Sequence, residues 1–231
     1  IINMNQLILP YQKNVKNTFS SFFYEDKKNK QIIENVKNIY NNNNNNQIFI
    51  CGEKSFGKSH ILYSACNYFE DKRCVYIPLK DHNLFSPDIL EGFENYDLIC
   101  IDDIDHIYNY DEWEYSFFVV INKILEKSKK IIYTSSTALN LSKINLKDLH
   151  SRLSWGLVFT ISSPNDIIKE KILNKTIIEN EYNISSDICS YIMKREDRDL
   201  SSLLEIIHKI GKYSLSTNKK INVKNLRVVF E

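Results

Sequence analysis

The chain has 231 residues, 43% of them hydrophobic and 12% aromatic, which is enough apolar side chain to offset the entropy of ordering a backbone; disorder throughout is excluded. With 30 Lys and Arg against 29 Asp and Glu there is no single-sign field to hold a polyanion, so direct sequence-specific DNA binding gains no support from charge. The five cysteines form no C-x-x-C pair, the N-terminus has no signal-peptide layout and no apolar run approaches the roughly 20 residues of a membrane span, so a cytoplasmic protein with no membrane partner is expected.

Residues 1–17 are polar apart from the compact cluster Gln6-Leu7-Ile8-Leu9-Pro10, too short to bury itself, and read as a tail carrying a docking peptide. Over 28–40, Ile32, Ile33, Val36 and Ile39 fall at helical spacing, and the six asparagines 41–46 end the pattern in a solvated loop. Five short apolar runs come next, at 47–51, 74–79, 98–101, 131–134 and 157–161, each bounded by polar or turn residues, and they are read as buried parallel strands. Helical patterns at 59–69 and 112–125 separate them, giving the alternation of a parallel sheet with helices on both faces. Beyond Ser163-Pro164, a cap residue followed by proline, only helical patterns remain, near 165–179, 186–195, 199–213 and 223–230. The expected organisation is a tail at 1–17, an α/β nucleotide-binding domain at 18–163 and a small all-helical domain at 164–231.

Gly52-Glu53-Lys54-Ser55-Phe56-Gly57-Lys58-Ser59 satisfies G-x-x-x-x-G-K-[ST] between a predicted strand and a predicted helix, where the chemistry needs it. Such a loop wraps backbone N–H groups around phosphate oxygens, and the helix after it adds its positive end. Lys58 is then expected to neutralise the β and γ phosphates and Ser59 to ligate Mg²⁺. Asp102 and Asp103 close the apolar run 98–101, at the strand edge where open parallel sheets bind ligands. Asp102 is the expected magnesium partner through water, and Asp103 the group that polarises an attacking water.

Three further segments carry a resemblance: Gly57-Lys58-Ser59-His60, Cys100-Ile101-Asp102-Asp103-Ile104 and Ser151-Arg152-Leu153-Ser154-Trp155-Gly156. Together with the P-loop they make the chain similar, over nearly its whole length, to the ATPase module of the DnaA-related AAA+ family. Gln6 to Pro10, 87–94 and Asp111-Glu112-Trp113-Glu114 are similar to its Hda-type regulatory branch in particular. The resemblance implies a P-loop AAA+ sheet whose fourth strand lies between the P-loop strand and the Walker B strand, flanked by helices and followed by a helical lid. It implies ADP or ATP as ligand, with His60 and Phe23 beside the P-loop residues at the nucleotide; the base pocket is expected near Phe22, Phe23 and Tyr24, which read equally well as plain core. It implies that Arg152 is an arginine finger reaching a neighbour's γ-phosphate, a role that suits an always-charged planar fork. And it implies that Gln6, Leu7, Leu9 and Pro10 bind the DNA polymerase sliding clamp.

Two positions depart from the family pattern: Ser201 stands where the lid usually carries a sensor arginine, with Arg198 one turn earlier, and Thr134-Ser135-Ser136 offers only hydroxyls where an aspartate is common. Both remove charge near the γ-phosphate, so intrinsic hydrolysis is expected to be slow. The sequence after the lid pattern leaves no room for the helix-turn-helix domain by which DnaA reads DNA, from which a regulator rather than an initiator is expected. Three functions compete: a clamp-bound regulator that stimulates hydrolysis of DnaA-bound ATP, an autonomous ATPase that loads or remodels a replication protein, and a nucleotide-stabilised binding module. Homo-oligomerisation is left open.

Overall fold

The computed structural model describes residues 17–23, 26–41, 46–197 and 199–229. The chain divides into two compact units, Ile1–Glu53 with Gly57–Ser162, and Lys54–Phe56 with Ser163–Glu231.

In the first unit, α1 (Lys27–Lys37) starts at an Asp26 cap whose carboxylate accepts from the Lys28 N–H, and it buries Ile32, Ile33 and Val36 as the spacing predicts. It ends three residues before the predicted boundary, because Asn38 leaves helical geometry and its side-chain amide bonds the Glu34 carbonyl. Next in the chain come five parallel strands: β1 (Gln47–Cys51), β2 (Cys74–Pro78), β3 (Leu98–Asp102), β4 (Lys130–Ser135) and β5 (Leu157–Thr160). Their order across the sheet is β2-β3-β4-β1-β5, so the fourth strand does lie between the P-loop strand and the Walker B strand. β1, β3 and β4 are buried along their whole length, whereas β5 at the sheet edge alternates, with Val158 and Thr160 outward. The expectation of five buried strands therefore fails at both sheet edges, for β5 and for β2, in which only Tyr76 and Ile77 are buried: an edge strand has a neighbour on one side only.

Helices α2 (Lys58–Tyr68) and α3 (Asp111–Glu126) cover the sheet, α3 through Phe117, Val120, Ile121 and Ile124. A seven-residue helix, α4 (Lys147–Leu153), and four 3-10 turns between His82 and Ile107 have no counterpart among the predicted elements. All five cysteines are free thiols, four of them buried, and among the described residues no helix is long and apolar enough to cross a membrane.

The second unit holds α5 (Asp166–Glu179), α6 (Asp187–Arg195) and α7 (Leu200–Thr217), packed through Leu173, Ile188, Leu203, Ile207 and Ile210. α7 runs about one turn past the predicted end. The last predicted helix is instead a 3-10 turn at Leu226–Val229, and Phe230 lies outside the described residues.

Gly156 marks a close approach that the fold cannot relax. A Cβ there would lie 2.3 Å from the Gln47 carbonyl oxygen and 2.9 Å from its carbonyl carbon, both backbone atoms of β1. Gly156→Ala must therefore displace the α4–β5 connection and is expected to cost about 3 kcal/mol. The urea unfolding midpoint checks this; a midpoint equal to wild type would mean that no such contact limits the turn.

Candidate nucleotide-binding site

The parallel register brings the ends of three strands together: Cys51 of β1 pairs with Ser135 of β4, and Ile101 of β3 with Tyr133 of β4. Three groups thus meet at one sheet edge, namely the P-loop after β1, the aspartates at the end of β3 and Ser136 after β4. The Gly52 N–H donates to the Ser135 carbonyl at 3.1 Å and anchors the loop to the sheet.

The loop leaves no room for other residues at its glycines. Gly57 has φ +92°, and a Cβ on it would lie 2.4 Å from Phe22 Cε2; a Cβ on Gly52 would lie 2.1 Å from Ile161 Cγ2. Ser55 also takes a positive φ, 66°, a turn most side chains avoid. Gly57 stands at the N-terminus of α2 with no side-chain cap, so the first N–H groups of the helix are left to an anion. Lys58 is only 5% exposed and curls back over the loop, its ammonium donating to the Gly52 carbonyl at 2.8 Å, the Glu53 carbonyl at 3.1 Å and Ser136 Oγ at 3.4 Å.

Asp102 is 3% exposed, and both carboxylate oxygens are engaged. Tyr76, on β2 opposite Cys100, donates its hydroxyl to Oδ2 at 2.6 Å, and Thr134 donates to Oδ1. The same Thr134 oxygen accepts the Asp103 N–H at 3.0 Å, which helps to hold Asp103 in a left-handed conformation at φ 54°. Burial and the adjacent Asp102 carboxylate raise the Asp103 carboxyl above its ordinary range, partly countered by Lys58. Burial and then Asp102 push the Tyr76 phenol upward as well, so Tyr76 stays a donor. Of the three hydroxyls predicted at the sensor position, Thr134 is consumed in bracing the two aspartates, Ser135 bonds the Thr137 carbonyl, and Ser136 is the one beside Lys58.

His60, one turn into α2, bonds the Thr18 carbonyl at 3.0 Å and Ser21 Oγ at 3.2 Å through Nε2, tying the segment before α1 to the loop. Its ring lies 5.4 Å from that of Phe22. Phe23 is half-buried next to it, Glu53 and Lys54 are exposed, and Phe56 and Ser59 are half-buried. Within the second unit the Ser201 hydroxyl lies 2.9 Å from that of Ser55. Tyr24, Arg198 and the peptide Gln6, Leu7, Leu9, Pro10 lie outside the described residues.

Arg152 lies at the end of α4 with its guanidinium carbon 4.1 Å from the centroid of the Trp155 ring, and that indole is 66% exposed. Its carbonyl accepts from Gln47 Nε2 at 2.7 Å. Neither Tyr76 nor Gln47 carries a local sequence signal: each acts on a partner at least 26 positions away.

A family model described as the bacterial DnaA ATPase domain matches residues 13–160, and one described as the Hda lid domain matches residues 166–228. Domain III of the Thermotoga maritima replication initiation protein DnaA superposes with a TM-score of 0.77 at 22% identity, over 94% of this chain and 96% of that one. AMPPCP-bound DnaA from Aquifex aeolicus gives 0.66 at 23% identity, over 86% of this chain and 66% of that one. An uncharacterized protein of Haemophilus influenzae is 26% identical over 221 residues, 94% of this chain and 95% of the relative.

Proposed function

Because the chain belongs to the DnaA-related AAA+ family, joining a DnaA-type ATPase region to an Hda-type lid, we propose that it is a cytoplasmic replication regulator that binds ADP or ATP and stimulates hydrolysis of ATP held by the initiator DnaA. The observation that carries the reading is this pairing of ATPase region and lid in one chain, beside a complete phosphate loop. In functional terms the chain divides into a docking tail at 1–17, a nucleotide-binding domain at 18–163 and a lid at 164–231.

The residues fit the nucleotide. Gly52 and Gly57 allow a turn packed against Ile161 and Phe22 that a Cβ would forbid, α2 presents N–H groups with no side-chain cap, and the Lys58 ammonium is already held over the loop. Lys58 exchanges carbonyl partners for phosphate oxygens, and Ser59 and Asp102 are the residues that would hold Mg²⁺. That ion would neutralise phosphate charge. Tyr76 and Thr134 each bond one Asp102 oxygen and so orient the carboxylate, which would help to hold the ion through water. Asp103, whose N–H is bonded to Thr134, is read as the group that orients an attacking water. Ser136 and Ser201 supply hydroxyls where the family commonly has charges, so the chain's own hydrolysis is slow and its working contribution is Arg152, offered to a nucleotide held by its partner.

The test is turnover of DnaA-bound ATP with the protein added, with and without sliding clamp loaded on DNA. Acceleration that requires both supports the proposal. Turnover by this chain alone, with DnaA unaffected, would favour an autonomous loader or remodeller instead.

Gln6-Leu7-Ile8-Leu9-Pro10 is proposed to dock on the clamp, two leucines filling an apolar pocket while Gln6 fixes the register. Changing Leu7 and Leu9 to Ala should lower clamp affinity by about 100-fold, some 2.7 kcal/mol, and leave ADP affinity unchanged. Surface-immobilised clamp reads this directly; equal affinity of the variant would end the docking assignment.

A further inference from the structure

We propose that Glu114 and Trp155 are positioning residues for Arg152: Glu114 fixes the start of the helix that carries it, and the Trp155 indole fixes the direction of its guanidinium. The inference rests on the reading of Arg152 as a group presented to a partner's nucleotide.

Glu114 is wholly buried on α3, yet its carboxylate reaches outside its own helix for its partners. Oε1 accepts the N–H groups of Asn109 at 2.8 Å and Asn145 at 3.2 Å, and Oε2 accepts that of Leu146 at 2.7 Å. Leu146 is the N-cap of α4, which has no side-chain cap of its own, so a carboxylate 32 positions earlier does the capping. Asp111 adds a second tether, accepting from Asn145 Nδ2 at 2.9 Å. A buried carboxylate is costly unless well bonded, and three backbone donors offset that cost here. The helix start is thereby held to α3, and Gln47 holds its end through the Arg152 carbonyl.

That leaves the side chain. A seven-residue helix ends at Leu153, and beyond it the chain turns through Ser154 to place Trp155 under the guanidinium at 4.1 Å, a cation–π stack. An indole 66% exposed gains little from burial in this chain, so stacking is what it supplies. The stack restricts a rotamer-rich side chain before any partner arrives, which lowers the entropy cost of reaching the transition state rather than adding a contact.

The experiment compares Trp155→Ala, Trp155→Phe, Trp155→Leu and Glu114→Gln with Arg152→Ala in two measurements. The first is the Arg152 Nε–H resonance, assigned by its loss in Arg152→Ala. Ring current should displace it in wild type, Trp155→Ala and Trp155→Leu should abolish the displacement, Trp155→Phe should keep its sign, and Glu114→Gln should reduce it. The second is single-turnover hydrolysis of DnaA-bound ATP over a range of concentrations of this protein. Trp155→Ala, Trp155→Leu and Glu114→Gln should lower the saturating rate about tenfold while the half-saturating concentration moves less than about twofold, and Trp155→Phe should stay within about threefold of wild type.

An undisplaced wild-type resonance, or saturating rates in Trp155→Ala and Glu114→Gln equal to wild type, overturns the positioning roles while a deficient Arg152→Ala leaves the finger standing. Trp155→Leu performing as well as Trp155→Phe would reduce Trp155 to apolar packing and overturn its part. If Arg152→Ala itself turns over DnaA-bound ATP normally, the finger reading fails and this inference with it.

Discussion

Lys58→Ala should abolish or greatly weaken nucleotide binding. The lysine is 5% exposed, and its ammonium is the cation bound to the carbonyls of Gly52 and Glu53 within the loop. Without it the loop offers phosphates only backbone dipoles and the end of α2, which contribute less than a buried full charge. The folded chain should survive, because an alanine at the first position of α2 suits a helix and leaves the Gly57 turn in place. Ligand-linked stabilisation separates the cases. A protein that binds ADP gains about 2.7 kcal/mol at a hundredfold excess over the dissociation constant, and one that does not gains nothing. Thermal unfolding with and without ADP, on wild type and Lys58→Ala, reads that difference; equal stabilisation of both would contradict the assignment of the loop.

That prediction was available from eight consecutive residues, and the reason is local. A P-loop must turn sharply between a strand and a helix, so its glycines, lysine and serine are contiguous, and the buried runs on either side announce their own period. The same holds for β1, β3 and β4, whose apolar stretches at 48–51, 98–101 and 131–133 are uninterrupted, and for the cap and stripe of α7. What the sequence hid depends on distance. α4 is seven residues long, begins at a leucine with no capping side chain, and owes its start to Glu114; nothing near Leu146 records that. Tyr76 reads as one more strand residue until the β2–β3 register sets it against Asp102. In the sequence Thr134 offers only a hydroxyl where an aspartate is common, yet that hydroxyl is the brace between Asp102 and Asp103. Ser136, two residues on, is the hydroxyl that faces Lys58, and only the strand's end point decides which of the two does so.

Arg152→Ala is expected to have the largest effect on the proposed activity, in a protein that still folds, binds ADP and binds the clamp. The residue sits half-buried in the last turn of α4 with its carbonyl held by Gln47 and its guanidinium over Trp155, so truncating the side chain leaves the backbone anchor untouched. An arginine finger stabilises charge that develops only as the phosphoryl group transfers, and its removal costs on the order of 10³ to 10⁵ in rate. An arginine that only held two proteins together would behave differently: its loss would weaken association, and a higher protein concentration would restore the rate. Lysine should rescue poorly, since a point charge lacks the planar fork that spans two oxygens and cannot stack on the indole in the same way. Single-turnover hydrolysis of DnaA-bound ATP, at saturating regulator and loaded clamp, isolates the chemical step from binding. If Arg152→Ala matches wild type there, the rate enhancement comes from elsewhere and the regulatory mechanism proposed for this chain is wrong.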